Sequence, residues 1–182
     1  GDKLIAIDSK FADAYYYRGC AKSQLHDSVS ALKDLDYYCK NSKGSKIEPL
    51  TYKIQCYVET QQWSKAIECI DQVNAIKPQG HLYKTKAQIY RQLNDNKAAT
   101  GCLLKAVQIA PRDYWCWREL VSCYCAANLY KEALEASKHL IELRPDEPDG
   151  HGLRSKIYTK LGMTKEAKAE LELCNQKADF PF

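Results

Sequence analysis

The chain has 182 residues, 45% hydrophobic and 27% charged, with only 8 glycines and 6 prolines, a balance that excludes a disordered linker and suffices for a packed core. Its net charge of +4 is scattered, without the Lys/Arg clusters of a nucleic-acid footprint, and no apolar run reaches the roughly 18 residues of a membrane span or forms a signal core. The nine cysteines lie inside apolar-periodic segments with no Cys-x-x-Cys pair, which removes the usual support for a disulfide framework or zinc ribbon and points to a reducing, cytoplasmic compartment.

Residues 1–11 place LIAID ahead of FADAYYYRG, the arrangement of each later junction, and are read as the tail of a preceding unit. The first full unit, 12–46, pairs a helix around YYYRGCAK with one around SVSALKDL and ends in the longer turn KNSKGSK. Lys22 stands there where later units have a tyrosine, and Tyr38 where they have a small residue. In the second unit, 47–79, Leu50, Ile54, Tyr57 and Val58 recur at three and four along one helix, and Ala66, Ile67, Ile70 and Val73 along the next. Pro78 then stops the second helix, because proline cannot continue its hydrogen-bond ladder and displaces the residue before it. The third unit, 80–113, sets Tyr90 and Ala99 either side of the polar link LNDNK and closes on Pro111. The fourth, 114–147, carries Trp117, Leu120, Tyr124, Ala133, Leu140 and Pro145. The fifth, 148–177, has Tyr158 and Ala167 across LGMTK, with His151 and Gly152 weakening its start, and leaves a tail at 178–182.

Ala31, Ala66, Ala99, Ala133 and Ala167 follow one another at intervals of 35, 33, 34 and 34 residues, and four of them have a tyrosine nine residues earlier. A fixed period of this length marks a repeat architecture in which each unit is one helix pair. No strand-like alternation of any length appears, so the fold class is all-α.

This order of large residue, small residue, tyrosine, alanine, leucine or aromatic and closing proline resembles the tetratricopeptide repeat, most fully in 114–147. The resemblance implies one α-solenoid over 1–182, about five stacked helix–turn–helix repeats wound into a right-handed superhelix with the first helices on its concave side. It also implies a scaffold or adaptor, part of a larger protein, that holds a partner peptide or helix in that groove. Neither end has the polar cap a solenoid needs, so a piece of a longer array is expected.

The candidate partner-binding residues are those on first helices that face away from the alanine–tyrosine seam. They are Tyr16 and Tyr17, then Tyr52, then Lys84, Gln88 and Arg91, then Trp115, Arg118 and Ser122, and finally Lys156 and Lys160. Positions two apart on a helix lie about 200° apart, so Trp117 is assigned to packing and Trp115 to the groove. Asp13, Glu48 and Glu59 gather toward the start, while bases outnumber Glu119 and Asp149 toward the end. A protein partner with an acidic segment and an aromatic or apolar anchor is therefore expected. An RNA-binding helical repeat is the alternative, since basic residues beside Trp115 and the tyrosines could pair phosphates and stack bases; the groove acids weigh against it. Neither the lysine–asparagine clamp for acidic chaperone tails nor the asparagine ladder of sugar-transferring relatives is present.

Cys116 and Cys123 are seven apart and share a face that the repeat assigns to packing, and no histidine stands where a nucleophile would need its base. There is no Gly-rich phosphate loop and no paired-carboxylate motif. No catalytic residue, no metal and no cofactor are expected.

Overall fold

The computed structural model describes residues 11–178. The expected tails, 1–11 and 178–182, lie outside the described residues apart from Phe11 and Ala178. Ten α-helices occupy the described residues, in pairs: α1 (Ala12–Gln24) with α2 (Ser28–Asn41), α3 (Ile47–Glu59) with α4 (Trp63–Ile76), and α5 (Gly80–Gln92) with α6 (Asn96–Ile109). The last pairs are α7 (Tyr114–Ala126) with α8 (Tyr130–Leu143) and α9 (Pro148–Lys160) with α10 (Thr164–Ala178). Among the described residues there is no strand, so the all-α repeat reading holds. No described helix is long and apolar enough to cross a membrane.

Each pair is joined by the same device. One residue per link lies in the left-handed region: His26, Gln61, Asn94, Asn128 and Gly162, with φ between 55° and 74°. The next N–H then reaches back five residues, to the carbonyl of Lys22, Tyr57, Tyr90, Tyr124 or Tyr158. This closes the first helix with a Schellman-type bond and satisfies carbonyls that would otherwise have no partner. In two links the following residue also caps the second helix, Asp27 accepting from Ser30 N–H at 3.2 Å and Asp95 from Ala98 N–H at 2.9 Å. Helix stop and helix start thus share three residues.

A left-handed residue with an ordinary side chain costs roughly 1 kcal/mol, and asparagine tolerates it better. Gln61→Asn should therefore raise the free energy of unfolding by up to about 1 kcal/mol in denaturant titration. A lower midpoint would contradict this account of the link.

The alanines mark the seam as read: Ala31, Ala66, Ala99 and Ala133 are wholly buried and Ala167 nearly so. By contacts the chain divides at Leu82/Tyr83 into two compact units. In the first, α1 packs on α2, α2 on α3 and α3 on α4. A Cβ on Gly19 would come within 2.9 Å of Leu35 Cγ, which explains the glycine at this crossing. Asp34, only 4% exposed, accepts two hydrogen bonds from Arg18 (2.6 and 2.8 Å) and one from Lys22 Nζ at 2.8 Å. Lys22 is therefore not a failed tyrosine. It belongs to a buried charge cluster that this copy uses in place of an apolar contact. Tyr38 is buried as well, its ring centroid 5.1 Å from that of Tyr16.

The second unit is built on Leu103, Leu120, Val121, Leu140 and Ile157, all at most 1% exposed. Ser137 is buried in α8 and donates to the Leu134 carbonyl at 2.7 Å. The start of the fifth pair is firmer than expected. Gly150 lets α9 approach α8, since a Cβ there would meet Ile141 Cγ1 at 2.8 Å. Buried His151 contacts Glu170 of α10 at 2.8 Å, and Ser155 Oγ donates to the Ala167 carbonyl at 2.8 Å.

Candidate functional site

Charges that the sequence placed in a groove are largely engaged with one another. Within the second unit, Lys84 Nζ lies 3.2 Å from Asp113, Arg91 is hydrogen-bonded to Glu119, and Arg118 Nε donates to Asp149 at 3.2 Å. Each pair joins a first helix to the first helix of the next repeat or to its cap. Burial works to raise the Asp113 carboxyl, but the Cys116 N–H and Lys84 outweigh it and hold it below the usual carboxylate range. The expected basic surplus over α5 and α7 is thus mostly cancelled where it arises. Lys156 and Lys160 are the exception: both are exposed, and neither has an acidic partner among the described residues.

These two lysines edge a pocket of about 410 Å³. Leu153 and Ile157 of α9 line it with Cys125 of α7, Tyr130 closes one side, and Ser122, Thr159 and the lysines complete the rim. The spacing of Leu153, Lys156, Ile157 and Lys160 accounts for its mixed chemistry, because residues three and four apart share one side of a helix. Thr159 Oγ1 donates to the Ser155 carbonyl at 2.9 Å.

Trp115 lies on the same face of α7 as Ser122, two turns or about 10 Å away. It is 51% exposed, with the Arg118 and Arg144 guanidiniums 5.8 and 5.7 Å from its ring centroid. Trp117, as expected, turns the other way: half-buried, it donates Nε1–H to the Pro111 carbonyl at 2.8 Å. The structure therefore places Trp115, Arg118, Ser122, Lys156 and Lys160 along α7 and α9. Gln88 is exposed on α5.

In the first unit, Tyr17 is 63% exposed, but Tyr16 is committed, donating to Glu48 at 2.9 Å. Burial and that bond push its phenol up. Tyr52 is half-buried. Glu59, another expected groove acid, accepts from Ser28 Oγ at 2.5 Å and from Gln55 at 3.1 Å. Residues missed from the sequence are Arg144, hidden in the turn IELRPDE, and the pocket's Thr159, Ile157 and Tyr130.

All nine cysteines are free thiols. Burial pushes Cys69 up to about 11 and Cys116 up to about 12, and it raises Cys20, Cys39, Cys123 and Cys125 as well. Cys20 and Cys125, both only partly buried, are thus poor thiolates. Among the described residues no group of three or more His, Cys, Asp or Glu side chains is placed to hold a metal ion.

Residues 90–157 match the family model described as Tetratricopeptide repeat. Within that stretch the chain carries tetratricopeptide-type repeats. No curated protein matches it in sequence. Solved structures with a similar fold include MamA, with a TM-score of 0.80, 17% identity and 92% of each chain covered. Another is residues 41 to the end of MamA from Desulfovibrio magneticus RS-1, at 0.75 and 18%, covering 92% of this chain and 95% of that one. YrrB, described as a TPR protein with an unusual peptide-binding site, scores 0.77 at 18% identity, covering 97% of this chain and 91% of its own. At such identities the likeness establishes the helical-repeat fold. Tetratricopeptide repeats are typically non-catalytic scaffolds, and the fold supports a protein-interaction module in the general sense.

Proposed function

We infer that the chain is a scaffold or adaptor that binds an extended or helical segment of a protein partner along the first helices of its fourth and fifth repeats. One observation carries this reading. Among the described residues Lys84, Arg91 and Arg118 are paired with carboxylates, whereas Lys156 and Lys160 are not, and these two stand on the rim of an apolar pocket. An apolar side chain would fill the pocket while an acidic residue beside it meets the ammonium groups, and Trp115 offers a ring two turns away for a second contact. Buried aromatic and apolar anchors supply most of the energy at such interfaces, and rim charges steer encounter and set specificity. YrrB is a repeat protein with a peptide-binding site, which is consistent with this use of the fold.

The RNA alternative needs many open cations. The pairing of Lys84, Arg91 and Arg118 with carboxylates weighs against it.

Panning a displayed library of short random peptides against the protein tests the reading. Peptides that join a large apolar residue to a nearby Asp or Glu should be enriched, and should lose at least about tenfold in affinity when both lysines are reversed in Lys156→Glu/Lys160→Glu. Trp115→Ala should cost on the order of 1–2 kcal/mol in the same assay. Enrichment that ignores both variants would refute the site.

A further inference from the structure

We propose that the chain carries a second docking surface, a cleft on the opposite side of α7 from the groove pocket, whose occupant is a protein segment with a large apolar side chain beside a lysine or arginine. The cleft encloses about 620 Å³. Trp117 and Leu120 of α7 form its floor, with Leu104 of α6 and Leu134 of α8 as walls. Trp117, Leu120 and Tyr124 recur at three and four, and this stripe lies about 200° round the helix from the stripe that begins at Trp115. Pocket and cleft thus sit back to back on one helix, and both can be filled at once.

The two ends of the cleft differ. At one end Trp117 is already committed, its Nε1–H given to Pro111 and its ring stacked on His139 with centroids 4.0 Å apart. His139 in turn lies 3.4 Å from Glu142. At the other end stand Tyr124 and Glu132. The neighbouring carboxylate, Glu135, is held by Lys138 at 2.8 Å, but Glu132 has no partner among the described residues. An open carboxylate near a tyrosine ring is the complement of an ammonium or guanidinium, which gains both an ion pair and a cation–π contact there. Lys131, also on the rim and without an ion pair among the described residues, projects about 100° round α8 from Glu132 and leaves that carboxylate open.

Between the ends, Leu104 is 40% exposed over a floor in which Leu120 is 1% exposed. An apolar side chain laid there removes both wall and guest from water. The groove pocket presents ammonium groups and the cleft a carboxylate, so the faces select partner segments of opposite charge, which is what a bridging adaptor requires. This inference stands independently of the groove reading.

The same displayed library tests it, with every enriched clone rescreened on Glu132→Lys, on Leu104→Ser and on the Lys156→Glu/Lys160→Glu variant. Glu132 is exposed, so Glu132→Lys should keep the parent's melting temperature, while Leu104→Ser, at a position 40% exposed, should lower it only modestly and leave the helical spectrum intact. The proposal expects a class in which Leu or Phe adjoins Lys or Arg, weakened at least about tenfold by each cleft variant and untouched by reversal of the lysines. Absence of that class, or equal binding to Glu132→Lys, would overturn it. So would sedimentation showing self-association that Leu104→Ser abolishes, because the cleft would then be covered by a second copy.

Discussion

Asp34→Ala should lower the free energy of unfolding by about 2–4 kcal/mol, the largest loss expected from any single polar side chain in the first unit. The carboxylate is 5% exposed at its side chain, whereas its partners Arg18 and Lys22 are 23% and 28% exposed. Removing it leaves two half-sheltered cations with no counter-charge, and that penalty exceeds whatever the intact cluster contributes. Partial exposure of the bases keeps the loss below that of a fully buried pair.

The pH dependence follows with a definite sign. Burial works to raise the Asp34 carboxyl, but the hydrogen bonds from Arg18 and Lys22 outweigh it and hold it below its usual range. A carboxyl depressed in the folded state contributes stability that is present above its unfolded value, near 4, and lost as pH falls through the folded value. Acid unfolding of the parent should therefore steepen below about pH 4, and Asp34→Asn should flatten that limb. An Asp34→Ala midpoint equal to the parent's would show that Lys22 and Arg18 are simply solvated.

Ala133→Leu should cost about 1–3 kcal/mol by overpacking, with helix content retained. Ala133 is 0% exposed in the crossing of α7 and α8, among Leu120, Leu140 and Ala136 of the same core. A larger side chain there must separate the helices or take a strained rotamer. The equivalent change at Ala167, 7% exposed in the last pair, should cost less, and reversing that order would contradict the packing described.

The seam was legible because it rests on size and spacing alone. A small residue recurs wherever two helices touch, and helix arithmetic separates Trp115 from Trp117 without any coordinates. Charge was harder to read. Lys84 and Asp113, Arg91 and Glu119, and Arg118 and Asp149 stand 29, 28 and 31 residues apart, a separation that means nothing until repeats stack. Counting acids and bases along the groove therefore suggested a surplus where there are pairs. Lys22 was read as a lapse in the pattern because its reason, Asp34, lies on the other helix. The left-handed links escaped notice too, since His, Gln, Asn and Gly share no chemistry and are united only by position. Neither pocket could be found from periodicity, which reports what a face buries and is silent on where two faces fail to meet.

The most direct measurement is calorimetric titration of an enriched acidic–apolar peptide into the parent protein and into Lys156→Glu/Lys160→Glu, with thermal melts of both. The account predicts a loss of about 10–100-fold in affinity for the double variant at an unchanged melting temperature, because both lysines are exposed and bear on no packing. Equal affinities would place the partner elsewhere and contradict the claim that the pocket between α7 and α9 is where this repeat protein meets its ligand.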